Sequence, residues 1–260
     1  MSEELEFAHH LADLADAISM KHFRRADISV RMKKDNTPVT EADEAIEQLL
    51  RDEIKAAFPD HGILGEEQDE TVSSSGAKWI IDPIDGTKNY SCGIPIWATL
   101  IAFERHGIVE CGIASGAALG ERFAAARGEG ANRNGEPIHV SDTDDLSKAR
   151  VGFTSVHGFE RTPYADAFRK LLGGAASDRG IGDFYGHMLV AAGSIDLMVE
   201  PSLKPWDLGP LLVIVEEAGG KLTNFDGEAT IYGKTALTTN GRLHAQALAL
   251  FGGKAPKRPG

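Results

Sequence analysis

The chain has 260 residues, of which 42% are hydrophobic and 25% are charged, a composition typical of folded globular proteins. The formal net charge of -12 disfavours nucleic acid and anionic membrane surfaces as partners, so we expect neither. There is no apolar run of roughly 18 residues, no basic and apolar signal segment and no CxxC pair, which predicts a cytoplasmic protein without a membrane span.

Two amphipathic helical patterns open the chain. Apolar residues recur at helical spacing over residues 7–18 and again over residues 46–57. Thr40 followed by Asp43 predicts a capping box, with Thr40 at the start of the second helix and Asp43 in its first turn. A glycine-containing loop then leads to Glu66.

A series of short β-prone segments follows. The apolar run at residues 79–81 stops abruptly at Asp82-Pro83-Ile84-Asp85-Gly86-Thr87, which places two carboxylates just beyond a strand. Further β-like runs cover residues 97–103, 108–114 and 122–125. This region predicts an antiparallel sheet flanked by the two opening helices.

After about residue 145, strands and helices alternate. We predict strands at residues 151–154 and 195–200 and near residues 222 and 236, and helices at residues 163–172, 184–192, 208–215 and 243–251. The chain is thus expected to consist of an α+β half at residues 1–145 and an α/β half at residues 146–260. Its last residues, 254–260, are expected to fray.

Acidic side chains at the ends of elements are the strongest chemical signal. Glu66 lies in a loop, Asp82 and Asp85 bracket a turn, and Asp207 falls in the first turn of a helix. Mg²⁺ prefers such carboxylate oxygens, with water and substrate phosphate completing its shell. Helix capping explains Asp43 or Asp207 alone equally well, whereas two unpaired carboxylates at one sheet edge repel unless a cation joins them. The residues by themselves leave both interpretations open.

Four sequence blocks resemble the signatures of the inositol monophosphatase superfamily. The blocks, in the family's order, are residues 38–43 (PVTEAD), 65–67 (GEE), 79–89 (WIIDPIDGTKN) and 206–210 (WDLGP) with 216–220 (EEAGG). Together they span nearly the whole chain, which makes the resemblance specific. It implies a layered αβαβα sandwich of mixed α+β and α/β character, a homodimer, and an active-site cavity between the layers.

The resemblance also implies two or three Mg²⁺ ions in each active site. Glu66, Asp82 and the backbone carbonyl of Ile84 would hold the first ion. The second would be bridged by Asp82 and bound by Asp85 and Asp207. A weaker third ion would lie near Glu66 through waters.

Carried over in the same way, the backbone of Gly86 and Thr87 would bind phosphate oxygens. Thr87 and Glu66 would position the nucleophilic water, and Asp43 would support Thr87. Hydrolysis would then need no covalent intermediate. Lys33 resembles a position that approaches the metal or phosphate, although a solvated loop lysine explains it equally well.

The leaving-group pocket decides which phosphate ester is used. Inositol phosphatases tend to have small residues where this chain has Gly-Asp-Phe-Tyr at residues 182–185, and this segment and Leu-Lys-Pro-Trp-Asp at 203–207 resemble the histidinol-phosphate phosphatase branch. Histidinol phosphate carries an ammonium group and an imidazole, which Asp183 and Glu200 could bind. Asp183 could equally cap a helix, whereas Glu200 has few obvious structural uses. Arg179 would orient Asp183 or the substrate.

We therefore predict a magnesium-dependent hydrolase of a small phosphate ester, with histidinol phosphate as substrate in histidine biosynthesis. The alternative enzyme is an inositol-1-monophosphatase or a broad sugar-phosphate phosphatase. A regulatory, RNA-associated member without turnover is a further alternative, against which the intact acidic residues argue. A 3′-phosphoadenosine nucleotide phosphatase is expected to offer more basic and aromatic groups than this chain.

Overall fold

The computed structural model describes residues 2–25, 30–32 and 38–253, so Lys33 and the tail at residues 254–260 lie outside the described residues. The helices are α1 (Glu3–His22), α2 (Glu41–Ala57), α3 (Thr87–Ser91), α4 (Val156–Glu160), α5 (Ala165–Gly174), α6 (Asp183–Ala191), α7 (Pro205–Glu217) and α8 (His244–Leu250). None of these helices is both long and apolar enough to cross a lipid bilayer.

The strands form a hairpin and two larger sheets. They are β1 (Val30–Met32), β2 (Pro38–Thr40), β3 (Gly62–Gly65), β4 (Ala77–Asp85), β5 (Ala98–Arg105), β6 (Ile108–Gly116), β7 (Glu121–Ala126), β8 (Gly130–Arg133), β9 (Glu136–Pro137), β10 (Arg150–Phe153), β11 (Ser177–Arg179), β12 (Leu197–Glu200), β13 (Lys221–Thr223) and β14 (Ala236–Thr239).

Strands β3 to β9 form a seven-stranded sheet in chain order, antiparallel except for the parallel β3–β4 pair. The second sheet has the order β11-β10-β12-β14-β13; β10 runs parallel to β11 and β12, and β14 runs antiparallel to β12 and β13. The sequence pattern missed β3, because two of its four residues are glycines with low strand propensity. The predicted antiparallel sheet is therefore correct for β4 to β7, whereas β3 at one edge and β8 and β9 at the other were not predicted.

Successive side chains of β4 point to opposite faces of the sheet, and this alternation shows how the layers form. Trp79 and Ile81 pack in the hydrophobic core shared with α1 and α2, whereas Ile80 packs with Leu208 and other residues of α7. Beyond the second sheet, α5 and α8 pack in a third core against β10 and β12. The layers are, in order, the helices α1 and α2, the seven-stranded sheet, the helices α6 and α7, the five-stranded sheet, and the helices α5 and α8. The predicted αβαβα sandwich is therefore confirmed.

Helix α7 is the central element, because both sheets bury apolar residues against it. All eight of its residues from 208 to 215 are buried. A helix that is apolar on every side belongs in an interior layer, where both of its faces are covered. Its first turn, which contains Asp207, consequently lies at the junction of the two sheets.

We predict that the contact between β6 and α7 tolerates no added carbon. A Cβ at Gly112 would lie 2.5 Å from the Cα of Pro210. Gly112→Ala should lower the free energy of unfolding by about 1–3 kcal/mol, because backbone atoms must separate. Urea denaturation measures this effect. As the control, Gly173→Ala in α5 meets no neighbour within 4 Å and should change stability by less than about 1 kcal/mol, in the stabilising direction. Equal effects would contradict the close approach.

Candidate functional site

Three carboxylates from distant parts of the chain meet at the end of β4. Asp82 and Asp85 stand at the last positions of that strand, where the pairing register with β5 shifts, and Asp207 comes from the first turn of α7. One oxygen of each carboxylate lies within 4.8 Å of the others. Asp82 is only 1% exposed. The fold thus concentrates three acidic groups in one largely buried place.

Each of these carboxylates also accepts a backbone hydrogen bond. Asp82 accepts from the N–H of Ile84 at 3.0 Å, and Asp85 from the N–H of Phe184 at 2.7 Å, at the start of α6. Asp207 accepts from the N–H of Lys204, the N-cap residue of α7, at 2.8 Å, which is the contact that the acidic residue of a capping box makes. The capping interpretation of Asp207 is therefore correct, and it does not compete with ligand binding, because a carboxylate has two oxygens.

Burial gives this cluster its electrostatic character. It raises the pKa of Asp82 and of Asp85 well above the ordinary value, and nearby Glu66 raises that of Asp82 further, as Asp183 does for Asp85. Burial likewise raises the pKa of Asp207 to about 7. Hard oxygen donors that cannot all ionise without a counter-charge suit a divalent cation such as Mg²⁺.

Glu66 follows β3 and lines the same cavity of about 540 Å³ as the three aspartates. Its loop is tied to α2 by Glu47, which is fully buried and accepts from the N–H groups of Glu67 at 2.7 Å and Gln68 at 3.0 Å. Arg51, one turn further along α2, donates to Glu47 at 2.8 Å. Sequence reasoning missed this ion pair, although both residues share the helix face of buried apolar residues.

The turn after β4 leads directly into α3. Gly86 has a positive φ of 82°, a conformation that favours glycine, and it precedes the first helical residue, Thr87. The Thr87 hydroxyl donates to the carbonyl of Ile84 at 2.9 Å and lies 3.4 Å from Asp43. Asp43 forms the predicted capping box with Thr40, and burial raises its pKa to about 6.

Asp183 lines this cavity from the start of α6. Its φ is +57°, its carboxylate accepts from the side-chain amide of Asn89 at 3.0 Å, and burial raises its pKa to about 7. It does not cap α6, because Gly182 occupies the N-cap position. The carboxylate is therefore held beside the acidic cluster by a residue of the DGTKN segment.

Glu200 ends β12 and lines an adjoining cavity of about 210 Å³ together with Asp85, Asp183 and Asp207. The expectation that Glu200 has few structural uses is wrong, because its carboxylate pairs with His187 at 2.7 Å and accepts a hydrogen bond from Thr154. Sequence reasoning missed both partners, since nothing in the local pattern links their positions.

Arg179 is exposed at the end of β11, and its guanidinium donates to the backbone carbonyl of Asp178 at 2.6 Å. It is not among the described residues that line either cavity of the acidic site, so the structure does not bring it to Asp183. The residues that follow Arg179, at positions 180–182, line the cavity in its place.

A further cavity of about 560 Å³ lies between α1 and the β7–β8 region. It is lined by Asp16, Arg122 and Asn132 among others, and the Arg122 guanidinium donates to Asp16 at 2.7 Å. This cavity shares no lining residue with the acidic site. The carboxylate cluster, and not the volume of the cavity, therefore decides which of the two is the candidate site.

The chain is similar to known proteins along almost its entire length. The model of the inositol monophosphatase family matches residues 1–254. A protein of Chlorobaculum parvum named histidinol-phosphatase is 40% identical, over 97% of this chain and 98% of its own. A fructose-1,6-bisphosphatase/inositol-1-monophosphatase of Thermotoga maritima is 33% identical, over 95% of this chain and 94% of its own. The crystal structure of the extragenic suppressor protein suhB from Bartonella henselae has a TM-score of 0.88 at 27% identity, covering 96% of this chain and 98% of that one.

We predict that the acidic cluster destabilises the protein without divalent cations, in a manner that depends on pH. The pKa of Asp207 rises from 3.8 to about 7 on folding, so between these values the folded state binds more protons than the unfolded chain. The contribution of such a group to stability is fully present below the pKa of the unfolded state, and it is lost as pH rises through the pKa of the folded state. Added Mg²⁺ should therefore raise Tm more at about pH 8 than at about pH 5.5.

Asp85→Asn tests the source of this effect, because asparagine keeps an acceptor for the Phe184 N–H while it removes one charge. Without Mg²⁺ the variant should melt higher than the wild type at about pH 8, and its gain in Tm on adding Mg²⁺ should shrink. Asp166→Asn, at a side chain that is 86% exposed and pairs with Arg169, is the control: it should leave the gain in Tm on adding Mg²⁺ unchanged. An undiminished Mg²⁺ response in Asp85→Asn would contradict the cation site.

Proposed function

The chain belongs to the inositol monophosphatase family, and we propose that it hydrolyses L-histidinol phosphate to L-histidinol in a Mg²⁺-dependent step of histidine biosynthesis. One observation carries the proposal: two additional carboxylates, Asp183 and Glu200, line the cavities that also hold Asp85 and Asp207. Such a pocket suits a phosphate ester whose alcohol is a cation. The relative named histidinol-phosphatase supports this choice of substrate.

The residues that would hold the metal are Glu66, Asp82, Asp85, Asp207 and the carbonyl of Ile84. That carbonyl already accepts from Thr87, but a second lone pair remains for a cation. When bound, two or three Mg²⁺ ions would neutralise the phosphate dianion and the departing alkoxide and would lower the pKa of the attacking water. The raised pKa values of the aspartates support this set, because a cation would relieve their repulsion.

The protein's own groups would orient the nucleophile and the phosphate. Thr87 has one hydroxyl proton, which it can turn from the Ile84 carbonyl to Asp43 while its oxygen accepts a hydrogen bond from the attacking water. Glu66, which lines the same cavity, would also hold the water. The first N–H groups of a helix lack partners within the helix, which suits the backbone of Gly86 and Thr87 for phosphate oxygens. Hydrolysis by direct attack of water follows, without an enzyme-bound intermediate.

Asp183 and Glu200 would bind the ammonium and imidazole groups of the substrate. The proposed contact of Arg179 with the substrate requires its guanidinium to leave the carbonyl of Asp178, to which it donates here. The cost of burying two carboxylates near the acidic cluster is offset when a cationic ligand pairs with them. Inositol offers only hydroxyl groups and would gain less.

We further propose a homodimer in the cytoplasm that acts on a small phosphate ester and has no nucleic-acid or membrane partner. The free state of Cys92 and Cys111 supports a reducing compartment. The proposed halves at residues 1–145 and 146–260 are supported by the two sheets, since β9 ends at Pro137 and β10 begins at Arg150.

We predict that the purified protein hydrolyses histidinol phosphate with a kcat/KM at least about tenfold above that for inositol 1-phosphate, a gap of about 1.4 kcal/mol. One charge-assisted hydrogen bond in a dry pocket can supply this difference. Both substrates are compared at the same Mg²⁺ concentration, and chelator should abolish both activities. Equal rates would favour the broad-specificity alternative, and full turnover in chelator would refute the metal dependence.

The carboxylate of Asp183 should be responsible for part of this preference. Asp183→Asn keeps an acceptor for Asn89, and asparagine tolerates the positive φ at this position. It should raise the KM for histidinol phosphate by about tenfold and change the KM for inositol 1-phosphate by less than about twofold. Asp178→Asn, at the exposed neighbouring strand, is the matched control. Parallel changes for both substrates would show that Asp183 does not select the cation.

A further inference from the structure

His187 is fully buried and lies one helical turn after Asp183 in α6. Its Nδ1 is 2.7 Å from the hydroxyl of Thr238 on β14, and its Nε2 is 2.7 Å from Oε2 of Glu200 on β12. The imidazole thus joins three elements of the second half of the chain. The proposed reaction assigns no role to this histidine.

The direction of these hydrogen bonds follows from the chemistry of the groups. An ionised carboxylate only accepts, so His187 Nε2 must carry the hydrogen that points to Glu200. In the neutral imidazole, Nδ1 then accepts, and the Thr238 hydroxyl can donate to it. Glu200 therefore selects the Nε2–H tautomer, and the Thr238 hydroxyl, which can donate or accept, holds the ring by donating to Nδ1.

The other oxygen of Glu200 accepts from the hydroxyl of Thr154, which lines both cavities of the acidic site. Glu200 is 3% exposed, and two side chains from different elements fix its rotamer. Each carboxylate oxygen still has a second lone pair for a donor from the substrate.

The Glu200 side chain needs to be held in place because three further carboxylates, those of Asp85, Asp183 and Asp207, line the same small cavity. Their repulsion would turn the Glu200 side chain away unless hydrogen-bond donors held it in place. A carboxylate fixed before binding also loses less rotamer freedom when a ligand arrives.

We infer that His187 is a positioning residue for substrate selection: it fixes Glu200, and through Glu200 the preference for a phosphate ester whose leaving alcohol is cationic. The inference rests on the proposed function and deepens it. His187 itself does not touch the substrate, and its effect passes through the carboxylate. It should therefore alter the KM for the cationic substrate rather than the chemistry common to all substrates.

Two substitutions of His187 separate positioning from filling space. His187→Phe keeps a planar ring but removes both hydrogen bonds, and it should lower the kcat/KM ratio of histidinol phosphate to inositol 1-phosphate by about tenfold, through KM. His187→Gln can place an amide N–H near the position of Nε2 and should keep the ratio within about threefold of the wild type.

The chain provides a matched control in His244, which is 3% exposed and lies between the hydroxyls of Thr223 and Thr239, each 3.0 Å away. It lines neither cavity of the acidic site. His244→Phe removes an equivalent pair of hydrogen bonds and should leave the substrate ratio unchanged even if it lowers Tm.

An unchanged ratio in His187→Phe, or an equal fall in His244→Phe, overturns the inference while the proposed substrate stands. A wild type without a preference for histidinol phosphate overturns the proposed substrate and this inference with it. Should His187→Phe fail to fold, Thr238→Val decides: it removes the hydroxyl that holds Nδ1, so the ring fixes Glu200 less firmly, and it should lower the ratio by about threefold. A ratio equal to that of the wild type in this variant also overturns the inference.

Discussion

Mutual repulsion between buried carboxylates is the constraint on which the rest of the site depends. Asp82 and Asp85 close β4 in a place that water barely reaches, and Asp207 joins them within 4.8 Å. Such a cluster needs backbone donors to hold its geometry and a counter-charge to be ionised. The structure supplies the donors from Ile84, Phe184 and Lys204, and the proposed Mg²⁺ ions would supply the charge.

The layered fold makes this convergence possible. Helix α7 fills the interior between the two sheets, so its first turn meets the end of β4 although more than a hundred residues separate them in sequence. Helix α6 lies beside α7 and directs its own N-terminus to Asp85. The same packing that buries the apolar faces therefore also assembles the acidic groups.

Around this cluster, buried polar pairs hold the remaining groups of the site. Glu47 and Arg51 tie the Glu66 loop to α2, and a Cβ at Gly65 would overlap the Glu47 carboxylate. His187 holds Glu200 in a similar way on the opposite half of the chain. Each pair lies out of solvent, where removal of one partner costs most.

The sequence by itself determined the capping box of Thr40 and Asp43 and, through its short motifs, the family, because caps and motifs are local properties. The layered fold was an implication of that family resemblance. The sequence also selected Asp82, Asp85 and Asp207, whose proximity is now visible and whose roles as ligands stay a prediction. Only the tertiary structure decided that Arg179 is turned to Asp178 and that Glu200 is bound by His187 and Thr154. The physical reason is that a side chain's partners across a core depend on how distant elements pack, and no local pattern encodes that packing.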